Sequence, residues 1–255
     1  MFDKEAFKGK RILITGGGSG LGRAAARFLG GLGANIIIIG RNRNKLEETA
    51  EQISGIGSVI CVDTDLCQFG SYSKIFEKCT EQGKLDGLLH CAGVALPTPV
   101  KALSVTLINE VFNINFVSFM LLVKEFQKKR YSNDGASIVG FSAINAHYPQ
   151  KHMCIYEASK MALEGAIHGM SMELYQKRKI RINAMVIGPV VTPMTGFKND
   201  DSLAVGSYSD VLINLMGFAS PLNIAQMAAF LLSDLSAYTT GRNFYVDGGC
   251  NGARI

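Results

Sequence analysis

The sequence lacks the features that mark metal centres, export signals and membrane spans. Its six cysteines include no CxxC pair and no metal-ligand spacing, so we expect no metal site. The first residues are polar, and the first apolar run is only Ile12-Leu13-Ile14, which is too short for a signal peptide. No apolar stretch reaches the ~20 residues that a membrane-spanning helix needs. These absences favour a cytoplasmic protein without a membrane partner.

A nucleic-acid partner is also not expected. The formal net charge is only +5. The basic clusters at residues 124–130 and 177–181 each close an apolar helical stretch, where cations complement the carbonyl end of a helix. No aromatic residues interleave with them as they do in a stacking surface for bases.

Short β-type runs alternate with helical patterns along the whole chain, and no Pro/Ser-rich linker or repeat interrupts them. The predicted strands are Lys10–Thr15, Asn35–Ile39, Ser58–Val62, Leu85–Cys91, Ala136–Ser142, Ile180–Val186 and Asn243–Val246. The predicted helices are Leu21–Leu32, Asn44–Ile53, Tyr72–Thr80, Val105–Arg130, Ile155–Gln176 and Leu222–Ser233. Such alternation predicts an α/β fold with one doubly wound parallel sheet of about seven strands and helices on both faces. We interpret residues 1–255 as a single domain.

The predicted helix Val105–Arg130 is apolar on more than one face. A helix that is apolar all round is buried, and on the outside of a sheet this favours a partner subunit over burial within the same domain. A homo-oligomer, either a tetramer or a dimer, is therefore expected.

Tyr156 and Lys160 stand four residues apart, which places their side chains on one face of a helix. A nearby ammonium group favours the phenolate form of a tyrosine, and this makes the phenol a general acid/base. Tyr and Lys one turn apart are more often a surface contact, so the pair gains meaning only from its surroundings.

A glycine-rich turn, Thr15–Gly22, follows the first strand and opens the first helix. Glycine allows a tight turn and close approach of a pyrophosphate to the helix N-terminus, so this turn predicts a dinucleotide site. An NAD enzyme would carry a carboxylate at the end of the second strand, where this chain has Gly40-Arg41-Asn42-Arg43. An arginine there pairs with a 2′-phosphate, which favours NADP(H). The alternative is that Arg41 and Arg43 are solvated and NAD(H) binds.

Together these motifs resemble the short-chain dehydrogenase/reductase family, and the resemblance runs from end to end. Further motifs that carry it are Asp65-Leu66, His90-Cys91-Ala92-Gly93, Asn115, Arg181-Ile182-Asn183-Ala184, Gly188 with Thr192, Thr240-Gly241 and Val246-Asp247-Gly248-Gly249. The 3-oxoacyl-acyl-carrier-protein reductases and the sugar and steroid alcohol dehydrogenases are the most similar group. The resemblance implies a Rossmann fold and an NADP(H)-dependent oxidoreductase that transfers a hydride between nicotinamide and a carbonyl or secondary alcohol.

The resemblance also implies roles for individual residues. Tyr156 would be the general acid/base, Lys160 would bind the nicotinamide ribose, and Asn115 would hold a water in a proton relay. Asp65 would accept from the adenine amino group, and the Val190 backbone and Thr192 would fix the carboxamide. The residues expected to bind the cofactor are Thr15, Gly16, Gly18, Ser19, Gly20, Leu21, Gly22, Arg41, Asp65, Leu66, Cys91, Ala92, Gly93, Tyr156, Lys160, Gly188, Val190 and Thr192.

One departure from the family concerns the catalytic serine, whose usual place is taken by Ala143. A hydroxyl there stabilises charge on the carbonyl oxygen, which an alanine cannot do. Ser142 is one residue earlier, and adjacent strand residues point to opposite faces. Two interpretations stay open: Ser142 serves as the catalytic serine, or the site lacks one. His147, Tyr148 or His152 would be replacement donors, although a solvated loop is more common.

A substrate lid is expected at about residues 193–220, where small polar residues alternate with apolar ones. An alternative function is a cofactor-binding sensor or assembly protein with little turnover. This alternative stays open because Ala143 occupies the place of the catalytic serine.

Overall fold

In the computed structural model, residues 2–53, 57–192 and 215–250 are described. The strands are β1 Arg11–Thr15, β2 Asn35–Gly40, β3 Val59–Asp63, β4 Leu85–His90, β5 Ser132–Ala143, β6 Arg181–Ile187 and β7 Asn243–Val246. The helices are α1 Gly20–Gly31, α2 Arg43–Glu51, α3 Tyr72–Thr80, α4 Val105–Phe112, α5 Ser118–Phe126, α6 Cys154–Arg178 and α7 Pro221–Leu232. A π-helical turn, Asn113–Val117, joins α4 to α5.

The seven strands form one parallel sheet with the order β3-β2-β1-β4-β5-β6-β7. The predicted doubly wound α/β fold is thus confirmed. The strand order reverses direction between β1 and β4, and the crevice outside the carboxyl ends of strands at such a point is where α/β sheets bind ligands. The glycine-rich turn follows β1, and Cys91–Gly93 follows β4, so both border this crevice.

Helices cover both faces of the sheet because the strand side chains are apolar on both faces. In β2, Ile37 and Ile39 pack into one buried cluster with Phe119 of α5 and Leu163 of α6. The alternate residues of β2 pack into a second cluster, which includes residues of α1 and α7. This arrangement is typical of strands buried on both sides.

The expectation that no segment reaches the length of a membrane span was wrong. The continuous helix Val105–Phe126 has 22 residues and a mean hydropathy of 1.5, enough by length and composition to cross a membrane. Isolated polar residues such as Asn109 and Asn115 interrupt its apolar run without lowering the mean. Core helices of soluble proteins pass the same test, and this helix packs on the sheet through Phe119, Leu122 and Phe126, which are fully buried.

Candidate functional site

The turn after β1 needs glycine at two positions because the backbone passes very close to itself and to the segment after β4. Gly16 has φ +68°, and a Cβ there would lie 3.0 Å from the backbone nitrogen of Ala92. A Cβ at Gly22 would lie 2.3 Å from the carbonyl oxygen of Gly16. The turn and the start of α1 therefore form a tight cradle of backbone atoms.

The N-terminus of α1 fits an anion. Its first turn contains no acidic residue, and the side chain of Ser19, the N-cap residue, makes no capping hydrogen bond. The first amide groups of the helix are thus left for a ligand, and the helix dipole favours negative charge there. Gly16, Gly18 and Ser19 line the adjacent groove, as a dinucleotide pyrophosphate requires.

The far end of this groove is basic. Arg41 lies there with Lys45 of α2, and no carboxylate is among the described residues that line the groove. Arg43 has a different role, since its guanidinium pairs with Glu47 at 2.7 Å and with Asp63 at 3.3 Å. Lys45 was missed in the sequence, although it follows Arg41 by four residues.

Asp65 follows β3 and is not among the described residues that line the groove. Its carboxylate accepts a hydrogen bond of 2.9 Å from the backbone N–H of Cys67, while its neighbours Thr64 and Leu66 line the groove. Leu66 is therefore brought to the groove wall, and Asp65 stabilises the turn beside it.

Thr15 connects the ends of β1 and β4. Its hydroxyl oxygen accepts from the Ala92 N–H at 3.1 Å and lies 2.9 Å from Nδ1 of His90. Burial lowers the pKa of His90 to about 3, so the imidazole is neutral and Nδ1 can accept the threonine proton. His90 is thus a structural partner of Thr15, and Ala92 and Gly93 after it line the groove.

Lys160 is buried and lies beside Tyr156. Its Nζ is 5.7 Å from the centroid of the tyrosine ring and donates a 2.7 Å hydrogen bond to the carbonyl oxygen of Phe141. Burial lowers the pKa of Lys160 to about 8, an effect that Cys91 and Glu164 partly oppose. The ammonium form still predominates at neutral pH, so a positive charge lies next to the phenol ring.

Asn115 lies in the π-helical turn and connects the segment after β4 to α6, the helix that carries Tyr156. Its Oδ1 accepts from the Val94 N–H at 2.8 Å, and its Nδ2 donates to the Val94 carbonyl at 3.0 Å and to Ser159 Oγ at 2.9 Å. Both amide protons are used. A water relay through this residue would therefore rely on its backbone carbonyl or on the second lone pair of Oδ1.

The segment after β6 forms another wall of the site. A Cβ at Gly188 would lie 2.6 Å from Cα of Asp247, so glycine permits the close approach of the chain after β7. Val190 forms a bridge with Ala219. Val190 and Thr192 both line the same cavity as Tyr156.

This cavity has a volume of about 440 Å³ and continues from the groove, since Gly93 lines both. Tyr156, Lys160, Leu21 and Cys91 line it, together with apolar side chains such as Ile144 and Met153. Most of the predicted lid, residues 193–214, lies outside the described residues. The remainder begins with Leu215 and Met216, which are exposed.

Ser142 and Ala143 both line this cavity, although adjacent residues of β5 point to opposite faces of the sheet. Ser142 is buried, and its hydroxyl donates a hydrogen bond to Oε1 of Glu164 on α6. The same carboxyl group lies 2.9 Å from Nε2 of His147 and accepts from Nδ2 of Asn243 at 2.5 Å. Three polar groups therefore converge on one buried carboxyl group, and the hydroxyl of Ser142 is engaged there.

Ala143 presents only a methyl group to the cavity. Of the replacement donors considered above, His147 is bound to Glu164, and Tyr148 packs on the cluster of Ile144, Val186 and Cys250. Glu164 itself was missed in the sequence. Its signal is the spacing of four residues from Lys160, which places a carboxyl group on the inward face of α6.

Replacing Ser142 with alanine tests this geometry. Loss of a hydrogen bond to a charged partner should lower the free energy of unfolding by about 1.5–3 kcal/mol, measured by urea denaturation, with little change in enzymatic rate. Ser137→Ala is the matched control, because its hydroxyl donates to the neutral carbonyl of Leu231 from the same strand, and should cost about 1 kcal/mol. A hundredfold loss of rate at unchanged stability would instead assign Ser142 to the carbonyl.

Comparison with known proteins agrees with this geometry. A family model of short-chain dehydrogenases, described as enoyl-(acyl carrier protein) reductase, matches residues 16–251. Glucose 1-dehydrogenase of Gluconobacter oxydans is 30% identical over 254 residues, which cover 96% of this chain and 93% of that protein. The 3-oxoacyl-acyl-carrier-protein reductase FabG of Rickettsia felis is 29% identical over 241 residues, covering 94% and 96%.

Solved structures show the same fold. A short-chain dehydrogenase/reductase from Serratia marcescens superposes with a TM-score of 0.86 at 26% identity, over 96% of this chain and 99% of that one. A dehydrogenase/reductase from Sinorhizobium meliloti gives a TM-score of 0.82 at 25% identity, with 97% and 98% covered. The chain belongs to the short-chain dehydrogenase/reductase family of oxidoreductases.

Proposed function

We propose that this protein is an NADP(H)-dependent oxidoreductase that interconverts a carbonyl and a secondary alcohol, with Tyr156 as the general acid/base. The observation that carries the proposal is the position of Lys160. Its buried ammonium group lies beside the Tyr156 ring at the point where the groove and the cavity meet.

The nicotinamide of a bound cofactor supplies the hydride in reduction and accepts it in oxidation. In reduction, the Tyr156 hydroxyl donates its proton to the carbonyl oxygen. The Lys160 ammonium stabilises the phenolate that remains. Asn115 holds the helix of Tyr156 in place through Ser159, whose hydroxyl donates to the Tyr156 carbonyl at 2.7 Å.

The relatives support the reaction class and leave the substrate open. One is named for glucose, one for 3-oxoacyl groups and one, from Eggerthella lenta, for a 3β-hydroxysteroid. These substrates share a carbonyl/secondary alcohol pair and little else. A panel of ketones that includes acyl thioesters and keto sugars, monitored by NADPH oxidation, would identify the substrate class.

Tyr156→Phe tests the acid/base role. The variant keeps the ring but has no proton to transfer, so kcat/KM for a ketone from the panel should fall by at least about a hundredfold. NADPH affinity, measured by fluorescence titration, should be retained. A variant that still reduces the ketone at the parent rate would remove Tyr156 from the reaction.

Arg41→Ala tests the preference for NADP(H). Loss of a charge-assisted contact to a 2′-phosphate should weaken NADPH binding by about ten- to a hundredfold and leave NADH binding nearly unchanged. Arg43→Ala is the matched control, because its guanidinium is paired with Glu47 and Asp63. Equal losses for both dinucleotides on replacing Arg41 would contradict the assignment.

A second candidate function is a cofactor-binding sensor or assembly protein with little turnover. Ala143 and the engaged hydroxyl of Ser142 favour it, because together they leave the carbonyl without the expected serine. A parent protein that binds NADPH but reduces no ketone of the panel would support this function.

We also propose that the protein forms homo-oligomers, with a homotetramer as the expected assembly. Val105 of α4 and Met172 of α6 are 74% and 69% exposed, and Ile108, Met161 and Tyr175 are exposed beside them on these two helices. A second copy of the chain would cover this apolar surface. Light scattering at micromolar concentration should give a multiple of the mass of one chain, and the mass of one chain would contradict the proposal.

A further inference from the structure

In the cavity, Tyr156 can donate a proton to the carbonyl oxygen of a substrate. The position where a serine hydroxyl would donate a second hydrogen bond to that oxygen has no hydroxyl. Negative charge builds up on this oxygen as hydride arrives, and a second hydrogen-bond donor stabilises it. Ala143 contributes a methyl group, and the hydroxyl of Ser142 is used by Glu164. A second donor would therefore have to come from another residue.

Gln150 lies in the wall of this cavity and has an unused donor, which is covered in its present orientation. Its side chain lines the same cavity as Ala143 and Tyr156. Its amide nitrogen is shielded from water and makes no hydrogen bond to any described residue. A buried amide donor without a partner is destabilising, and an acceptor carried by a ligand would remove that cost.

No other described residue of the cavity shows this combination. The two other shielded polar atoms without a hydrogen bond belong to His90 and Asp247, which do not line the cavity. Rotation about the terminal bond of a glutamine exchanges its nitrogen and oxygen. The Gln150 amide can therefore turn its donor towards a ligand without moving the backbone.

The backbone of Gln150 is fixed relative to Tyr156. Its N–H donates a 2.6 Å hydrogen bond to Glu157, the residue that follows Tyr156 in the first turn of α6. The loop is anchored a second time, since the Thr98 N–H donates to the His152 carbonyl at 2.6 Å. These two hydrogen bonds attach the loop of Gln150 to the start of α6 and to the segment after β4, so that Gln150 borders the same cavity as the general acid.

We propose that the side-chain amide of Gln150 donates the second hydrogen bond to the substrate's carbonyl oxygen, in place of the hydroxyl that Ala143 lacks. This inference rests on the proposed carbonyl reduction. Gln150 transfers no proton: Tyr156 supplies the proton, and the amide stabilises the charge on the oxygen while the hydride is transferred.

The test is a double-mutant cycle between positions 150 and 143, assayed with the best ketone of the panel. Gln150→Leu keeps the size of the side chain and removes the donor, and should lower kcat/KM by about a hundredfold without changing NADPH affinity. Ala143→Ser should restore about tenfold of this loss in the Gln150→Leu background. In the parent, where the donor is present, Ala143→Ser should have an effect of less than about twofold.

Two further variants keep the result interpretable. Gln52→Leu makes the same chemical change at an exposed position, at the end of α2, and should leave kcat/KM unchanged. Gln150→Glu removes the donor with almost no change of shape and should reproduce the loss if Gln150→Leu does not fold.

The outcomes separate the two proposals. A Gln150→Leu variant as active as the parent, alongside an inactive Tyr156→Phe, overturns the role of Gln150 and leaves the proposed function in place. An equal gain from Ala143→Ser in both backgrounds also overturns it, because the two positions would then act independently. A parent protein that reduces no ketone overturns both proposals.

Discussion

The hydrogen bond from the Lys160 ammonium to the Phe141 carbonyl joins the parts of the site. It attaches α6, which carries Tyr156, to the end of β5, which carries Ser142 and Ala143. A buried cation is costly unless it is paired or hydrogen-bonded. Burial accordingly lowers the pKa of Lys160 to about 8, with opposing contributions from Cys91 and Glu164. The distance between the general acid and the cavity wall therefore depends on how this one charge is accommodated.

Glu164 extends the same attachment one turn further along α6. Its carboxyl group is bonded to Ser142 of β5, to His147 of the following loop and to Asn243 of β7. Lys160 and Glu164 thus connect one face of α6 to two strands and a loop. This explains how a serine can be present beside the expected catalytic position and still have a structural role, because its hydroxyl is hydrogen-bonded to Glu164 of α6.

Much of the fold could be predicted from the sequence because the signals are local. All seven strands and the main helices lie close to their predicted bounds. Strand β5 begins at Ser132, four residues before the predicted start. The sequence did not predict this extension because the polar residues 132–135 give no strand pattern. Alternation along β5 placed Ser142 and Ala143 on opposite faces and left open whether Ser142 serves as the catalytic serine, because its partner Glu164 is 22 residues away in sequence. Lys45 was missed as a contributor to the groove. Gln150 lies in the polar stretch between Ser142 and Tyr156 that the sequence places beside the substrate, but its unpartnered amide is visible only in the folded chain.

The π-helical turn at Asn113–Val117 changes the phase of the helix that contains it. An α-helix turns by about 100° per residue, so positions spaced by four drift around its surface by about 40° at each step. A π turn takes up one extra residue, and the drift is corrected. Val111, Asn115 and Phe119, at spacings of four, are accordingly all fully buried. A periodicity fixed at 3.6 residues spreads these three positions over about 80° of the helix surface. The π turn brings the site's asparagine into line with the buried residues on either side of it.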